Sequence, residues 1–296
     1  MAGGIPVIGT FNRSLQANKI LEVMGIVNGT TNAILTNMSE RGWSYEAALA
    51  DAQAKGYAEP DPSMDVGGQD AVYKLSILAS LAFGQRIRIE DIHCEGITTI
   101  TPEDIAFGKS LGLTLKLLAI GRVEEGRLQV RVHPTFIPDG HPIASVRRAY
   151  NAVFLHGDAI GHAMLYGRGA GDLPTASAIV SDIVMAAKNA GKHEHPAFLL
   201  GREQDALPLE KNWLTACYVH LLVNDTPGAL ASIAGVMGKY GVSLATVNQI
   251  SRNTPVPLVL VTHPARELSI QAAMAEIQEL EAVDRVVNVI RVEKEG

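Results

Sequence analysis

This sequence of 296 residues has few cysteines and few aromatic residues, and it has no excess of positive charge. It has two cysteines, its net charge at pH 7 is −6, and its isoelectric point is near 5.8. An acidic chain lacks the basic surface through which proteins bind nucleic acids or anionic membranes. Cys94 and Cys217 lie far apart, so they form neither a disulfide framework nor a paired-cysteine metal motif. We therefore expect no nucleic-acid partner, no membrane partner and a cytoplasmic location.

Long apolar runs and nucleotide-binding fingerprints are also missing. No segment approaches the roughly 18 apolar residues that cross a bilayer. Residues 1–6 resemble neither a signal peptide nor a transit peptide. The P-loop, the GxSxG elbow and the GxGxxG fingerprint do not occur in the 296 residues. What is present is ample apolar content, because 47% of the residues are hydrophobic, which supports a folded core.

The first 200 residues mix helical and extended patterns. The spacing of apolar residues and the cap residues predict helices at 14–24, 31–41, 44–55, 70–83 and 175–190, and strands at 114–123, 127–133, 152–156 and 162–166. Residues 56–69 hold two prolines and three glycines and are predicted to be a loop. Such a mixture favours an α+β or mixed α/β fold with a sheet layered by helices.

The C-terminal part has a pattern of its own. Residues 191–216 are polar and proline-containing, which is typical of a connecting segment. Beyond it, the predicted order is strand, helix, strand, strand, helix and strand, which is a ferredoxin-like unit. We therefore expect a first domain at 1–200, a linker at 201–216 and a second domain at 217–296.

The segment 56–74 holds the densest set of chemically capable side chains. Asp70 and Lys74 are four residues apart and share one helix face. One interpretation is a solvated surface pair worth a few tenths of a kcal/mol. The other is that the loop brings Glu59 and Asp65 over the helix start. There the carboxylates would hold a substrate ammonium and Lys74 would protonate an oxyanion.

Three further motifs are weaker signals. The GRGAG run at 167–171 precedes a helix, so its amides could face a phosphate or carboxylate, or could simply form a strand-to-helix turn. A calcium loop starting at Asp61 fails, because Val66 occupies its glycine position and Val72 its glutamate position. His193-Glu194-His195 lacks a third ligand and is better explained as a polar connecting segment than as a metal site.

Two strings in the first domain, GIVNGTTNAILTNM at 25–38 and GYAEPDPSMDVGGQDAVYKLSILA at 56–79, closely resemble homoserine dehydrogenases. The segment 151–183 is similar to a later part of that family. VNDTPGALASIAGVMGKYGVSLATVNQ at 223–249 resembles an ACT domain, the amino-acid-sensing module appended to many of these enzymes. The resemblance implies interconversion of aspartate 4-semialdehyde and homoserine with NADP or NAD, on the route to threonine, methionine and isoleucine. It also implies a homodimer or tetramer, with threonine as the effector.

The resemblance also implies roles for individual residues. Lys74 falls on the catalytic proton donor, with Asp70 beside it in the catalytic set. The implied substrate-binding residues are Asn28, Gly29, Thr30, Tyr57, Glu59 and Asp65. The implied cofactor-binding residues are Gly167, Gly169, Ala170 and Gly171. The carbonyls of Gly3 and Ile5 fall on part of a site for a monovalent cation such as sodium. The effector would be bound by Asn224, Asp225 and Gly228, with Asn248 and Gln249 from a neighbouring subunit.

One departure from the family pattern is large. The family opens with a Rossmann domain carrying GxGxxG and a second catalytic lysine, and neither occurs here. Residue 1 falls on the family segment that follows that domain. The resemblance thus implies a homoserine dehydrogenase without its nucleotide-binding domain, inactive alone. The alternative is a non-catalytic protein that binds an amino acid through its ACT domain.

Overall fold

The computed structural model describes residues 3–190, 206–249 and 255–293. His193-Glu194-His195 and residues 201–205 of the predicted linker lie outside them. The helices are α1 (Val7–Gly9), α2 (Gly29–Arg41), α3 (Tyr45–Ala54), α4 (Ser63–Val66), α5 (Gln69–Phe83), α6 (Pro102–Ser110), α7 (Asp172–Asn189), α8 (Ala229–Lys239) and α9 (Glu267–Gln278). The strands are β1 (Ile20–Ile26), β2 (His93–Cys94), β3 (Leu113–Glu124), β4 (Arg127–Pro138), β5 (Tyr150–Gly157), β6 (Gly161–Arg168), β7 (Leu214–Val223), β8 (Leu244–Gln249), β9 (Val256–Thr262), β10 (Ala265–Arg266) and β11 (Val283–Val292).

The chain divides into two compact units. The first comprises Met1–Thr98, Lys116–His133 and Gly140–Glu210, and the second comprises Thr99–Leu115, Pro134–Asp139 and Lys211–Gly296. No helix within the described residues is both long enough and apolar enough to span a membrane.

The first unit is a sheet covered by helices. Its strands run in the order β6-β5-β1-β3-β4, and β1 pairs antiparallel with both β3 and β5. Helix α5 packs against β1, and α3 packs against α2. Leu75 and Leu78 of α5, Ile34 of α2 and Leu118 of β3 are all fully buried. The mixed α/β fold expected from the sequence is confirmed.

One predicted helix of the first unit is wrong. Residues 14–24 were expected to be helical, but Thr10–Ser14 form a π-helical turn and Ile20–Ile26 form strand β1. The nearly continuous apolar residues of Ile20–Ile26 fit a central strand, because β1 pairs with β3 along one edge and with β5 along the other. Tertiary pairing therefore overrides the local helical preference. The predicted loop at 56–69 also contains the one-turn helix α4.

The second unit has the ferredoxin-like order. Strands β11-β7-β9-β8 are neighbours and pair antiparallel, which is the spatial order 4-1-3-2 of a βαββαβ unit. Its core comprises apolar residues of β7, α8, β9, α9 and β11.

Helix α6 also belongs to this second unit. It begins with a capping box between Thr101 and Asp104. The Asp104 carboxylate is fully buried and accepts hydrogen bonds from Tyr218 and His220 of β7 and from Asn288 of β11. The buried carboxylate thereby ties α6 to strands β7 and β11.

Candidate active site

The first unit contains a cavity of about 580 Å³. Its lining combines polar side chains with glycine backbone, and comprises Asn28, Gly29, Thr30, Lys55, Gly56, Tyr57, Asp65, Asp70, Lys74, Arg148, Ala149, Tyr150, Asn151, Arg168, Gly169, Ala170 and Gly171. A cavity of this size holds a metabolite of a few carbon atoms together with part of a larger ligand.

Asn28 organises the two carboxylates of the cavity. Its Nδ2 donates to Asp65 Oδ1 at 2.6 Å and to Asp70 Oδ2 at 2.8 Å. Its Oδ1 accepts from the backbone N–H of Thr31 at 2.9 Å, so the same side chain is the N-cap of α2. One buried carboxamide therefore fixes the start of a helix and brings together two carboxylates that lie 37 and 42 residues away.

Lys74 reaches the same carboxylate from one turn further along α5. Its Nζ donates to Asp70 Oδ2 at 2.7 Å and to the carbonyl oxygen of Val27 at 3.0 Å. An ammonium has three hydrogens, so one remains for a group in the cavity. The Lys74 and Asp70 side chains are 27% and 29% exposed, so the pair is only partly in contact with solvent. The pair is therefore more enclosed than a fully solvated surface salt bridge.

Local sequence explains why these groups converge. Gly68 precedes α5 with φ +88°, a left-handed conformation that favours glycine, and it reverses the chain between α4 and α5. Helix α4 carries Asp65, and the first turn of α5 carries Asp70. The glycines of the predicted loop thus place Asp65 beside the helix start, where the second interpretation of that segment expected both Glu59 and Asp65.

The 167–171 segment closes another side of the cavity. A Cβ added to Gly169 would lie 2.2 Å from Asn151 Nδ2, so glycine is needed for this close approach. Asn151 is buried, and its Oδ1 has no hydrogen-bond partner among the described residues. A buried amide oxygen without a partner is costly in free energy. This oxygen fits a ligand that offers a hydrogen-bond donor, whereas the backbone N–H groups at the start of α7 fit a ligand that offers an acceptor.

The structure does not bring every predicted site residue into this cavity. Glu59 is exposed and does not line it, and neither does Gly167. Gly3 and Ile5 line a second cavity of about 700 Å³, which also runs along α7. The Ile5 carbonyl accepts a hydrogen bond from the N–H of Val7 at 2.8 Å. The described residues contain no cluster of three His, Cys, Asp or Glu side chains that could hold a metal ion.

Several lining residues were not found from the sequence. They are Lys55, Gly56, Arg148, Ala149, Tyr150, Asn151 and Arg168. The 148–151 stretch has no motif of its own, and its one local signal is visible only in the backbone, where Arg148 has φ +58°. Neither Arg148 nor Arg168 has a carboxylate within ion-pair distance among the described residues, although Arg168 stacks over the Tyr150 ring at 5.6 Å.

The predicted effector residues fall in the second unit. Asn224, Asp225 and Gly228 lie between β7 and α8, where Gly228 has φ +92°. Asn248 and Gln249 end β8 and are exposed. Within the described part of the chain, no hydrogen bond joins the two groups.

Comparison with known proteins agrees with this geometry. Residues 6–184, more than half of the chain, match the family described as homoserine dehydrogenase. A homoserine dehydrogenase of Synechocystis sp. is 44% identical over 99% of this chain and 70% of its own length. That of Corynebacterium glutamicum is 42% identical over 100% of this chain and 67% of its own length. The chain belongs to the homoserine dehydrogenase family. It spans about two thirds of the length of these two relatives.

Solved structures support the same assignment. A homoserine dehydrogenase from Thiobacillus denitrificans superposes with a TM-score of 0.91 at 38% identity, covering 99% of this chain and 68% of that one. A hyperthermophilic archaeal homoserine dehydrogenase, solved in complex with NADPH, has a TM-score of 0.54 at 29% identity over 64% of this chain and 54% of its own. Homoserine dehydrogenases are oxidoreductases that use NAD(P).

Proposed function

We propose that this chain carries the substrate-binding and proton-transfer part of a homoserine dehydrogenase, which interconverts L-aspartate 4-semialdehyde and L-homoserine. The observation that supports this most is the Asn28–Asp65–Asp70–Lys74 network in a cavity of about 580 Å³. A solvated surface pair does not need a buried asparagine to hold it. The reaction would lie in the synthesis of threonine, methionine and isoleucine.

The reaction needs a hydride donor for the aldehyde carbon and a proton donor for the aldehyde oxygen. When bound, NAD(P)H supplies the hydride that adds to the aldehyde carbon. Lys74 Nζ would donate a proton to the aldehyde oxygen, which becomes the hydroxyl group of homoserine. Its salt bridge with Asp70 and its bond to the Val27 carbonyl leave one N–H to point at that oxygen. Charge appears on the oxygen only as hydride arrives, so this donor acts chiefly on the transition state.

The substrate ammonium needs a carboxylate. Asp65 would supply it, because it lies in the cavity and Asn28 occupies only part of its acceptor capacity. Thr30, Tyr57 and Gly29 would complete the substrate wall. In the structure, Thr30 Oγ1 donates to the Tyr57 carbonyl at 2.5 Å. Glu59 would contribute only if its loop closed over the ligand.

The 167–171 segment would hold part of the nicotinamide nucleotide. Gly169, Ala170 and Gly171 line the cavity beside the unpartnered Asn151 Oδ1, which fits this assignment. The 296 residues contain no GxGxxG fingerprint, so we expect them to bind NADP or NAD weakly without a supplied nucleotide-binding domain. The Gly3 and Ile5 carbonyls would contribute to a monovalent-cation site near Gly169, against which Gly3 packs.

The domain limits would be 1–200 for the substrate-binding domain, 201–216 for a linker and 217–296 for an ACT domain. The ACT domain would lie in the second unit. It would bind threonine at the Asn224–Gly228 loop in a homodimer or tetramer. Asp225 is exposed there and can meet an ammonium, while the amides at the start of α8 can meet a carboxylate. A purely amino-acid-sensing protein is the second candidate, favoured by the missing fingerprint. The Lys74 network favours the enzyme, because a sensor does not need it.

Calorimetry with L-homoserine tests the substrate site directly. We expect wild-type protein to bind it in the presence of NADPH, and Asp65→Asn to weaken the affinity about tenfold, since a charge-assisted contact is lost. The matched control is Asp61→Asn on the same loop. Asp61 is exposed and only accepts from the Ser63 N–H, which an asparagine also does. Equal losses in both variants, or no homoserine binding at all, would contradict the assignment.

A further inference from the structure

Lysine 116 is a buried charge that the proposed chemistry does not use. It lies on β3 in the first unit and is 3% exposed. Its Nζ donates to Asn32 Oδ1 at 3.1 Å and, in a short hydrogen bond, to the Val146 carbonyl. No carboxylate lies within ion-pair distance of it among the described residues. Burial lowers the pKa of Lys116 to about 8, with repulsion from Arg147 adding to this and Glu40 opposing it. An apolar side chain would avoid this cost, so the lysine's contacts need another explanation.

Asn32 connects Lys116 to the cavity wall through hydrogen bonds. Because its Oδ1 accepts from Lys116, its Nδ2 is the atom that faces the segment 146–150. The two hydrogens of Nδ2 are shared among the carbonyls of Val146 at 3.3 Å, Arg148 at 2.9 Å and Tyr150 at 3.2 Å. The lysine thus sets the orientation of a carboxamide that holds three carbonyls of one short segment.

Thr36, one turn further along α2, holds the same segment through its N–H group. Thr36 Oγ1 donates to the Asn32 carbonyl at 2.6 Å and accepts from the Arg148 N–H at 3.0 Å. Arg148 has φ +58°, a left-handed conformation that a residue with a side chain adopts only when its surroundings hold it there. Asn32 and Thr36 bind both backbone groups of this strained residue.

The held segment is one wall of the cavity, because Arg148, Ala149, Tyr150 and Asn151 all line it. The fit is close, since a Cβ on Gly29 would lie 3.0 Å from the Ala149 carbonyl oxygen. A small movement of the wall would therefore reach both the α2 start and the substrate space. We infer that Lys116 is a positioning residue, which acts through Asn32 and together with Thr36 to hold the 148–151 wall in its ligand-binding conformation. The inference rests on the proposed function for the identity of the ligand.

Two variants each remove one of the hydrogen-bonding groups that hold the 148–151 wall. Lys116→Met keeps the length and the packing and removes the donor, and Thr36→Val is nearly isosteric and removes the acceptor for the Arg148 N–H. The control is Ile120→Val on the same strand, which lies in the buried core and makes no bond to the wall. Lys116→Arg restores a donor and a positive charge.

The readouts are homoserine affinity by calorimetry with NADPH present and hydrogen exchange of the segment 146–151. We expect both variants to weaken homoserine binding about tenfold, since small misplacements in a site have large effects. We also expect faster exchange confined to that segment. Ile120→Val should stay within about twofold in affinity, and Lys116→Arg should recover part of the loss.

Exchange that rises uniformly across the chain, or unchanged affinity in both variants, would overturn the inference and leave Lys116 with a structural role only. If the wild-type protein binds no homoserine, the proposed function fails. The exchange pattern still decides whether Lys116 and Thr36 hold the wall.

Discussion

Replacing Asn28 separates its two tasks, because aspartate and serine can both cap a helix but neither can donate two N–H bonds to carboxylates. In the wild-type chain, Asn28 bonds Asp65 at 2.6 Å and Asp70 at 2.8 Å. Asn28→Ser keeps an N-cap for α2 and removes both bonds. Asn28→Asp also keeps the cap, but it places a third carboxylate where the amide nitrogen was.

The structure gives the expected sizes. A hydrogen bond to a charged group contributes about 1.5–3 kcal/mol, but partly exposed carboxylates recover water, so we expect a loss of about 1 kcal/mol per bond. Asn28→Ser should therefore lower the free energy of unfolding of the first unit by about 2 kcal/mol. Asn28→Asp adds like-charge repulsion of about 2 kcal/mol at ~4 Å in a partly solvated cavity, for a total of about 4 kcal/mol.

Urea denaturation followed by tryptophan fluorescence measures this. The chain has two tryptophans, Trp43 just after α2 and Trp213 in the second unit, so a Trp213→Phe background makes Trp43 the reporter of the first unit. At pH 7, Asn28→Asp should be the less stable of the two variants. The gap should close near pH 4, where the carboxyl group introduced at position 28 takes up a proton and the repulsion is relieved. Equal stability at pH 7, or a gap that persists at pH 4, would refute the account of Asn28.

Three more predictions concern other parts of the chain. Asp104→Asn should destabilise the second unit by about 3 kcal/mol at pH 7. Burial raises the pKa of Asp104, but hydrogen bonds led by His220 outweigh it and hold that pKa below its usual range. This stabilisation is therefore complete above about pH 4 and is lost as pH falls through the lowered pKa, so pH-dependent unfolding should show the two proteins converging in acid. Gly169→Ala should weaken the binding of nucleotide and of homoserine, because the new Cβ displaces Asn151. A lower Tm with unchanged binding would contradict this. Millimolar threonine should raise Tm, and Asp225→Ala should abolish that rise; a rise that survives the substitution would remove Asp225 from effector binding.

Sequence predicts elements well where the signals are local. The helices predicted at 31–41 and 44–55 are α2 and α3, which Asn28 and Ser44 cap with their side chains. The helix predicted at 14–24 failed, because β1 is specified by two neighbouring strands rather than by its own residues. The exposed apolar surface of α7, where Ile183 is 62% exposed, corresponds to an apolar sequence pattern that is wider than one helix face.

For the candidate site too, the sequence predicts what depends on local spacing and misses what depends on contacts between distant residues. Asp70 and Lys74 share a helix face, and that spacing can be found in the sequence. Their meeting with Asp65 was only one of two interpretations that the sequence left open, because it depends on the left-handed Gly68 and on the reach of Asn28. The 148–151 wall was missed altogether. Its bonds join residues more than 100 positions apart, and no local pattern records such a bond.

The most direct test of the account is the steady-state kinetics of Lys74→Ala, in this chain joined to a nucleotide-binding domain of the family. A general acid contributes about 10²- to 10⁴-fold to rate, so kcat for aspartate 4-semialdehyde reduction should fall by that factor while KM changes by less than about threefold. Lys55→Ala is the matched control, because Lys55 also lines the cavity but pairs with Asp51 at 2.6 Å. Its kcat should stay within about threefold of wild type. A normal kcat in Lys74→Ala, or an equal fall in both variants, would contradict the central role of Lys74.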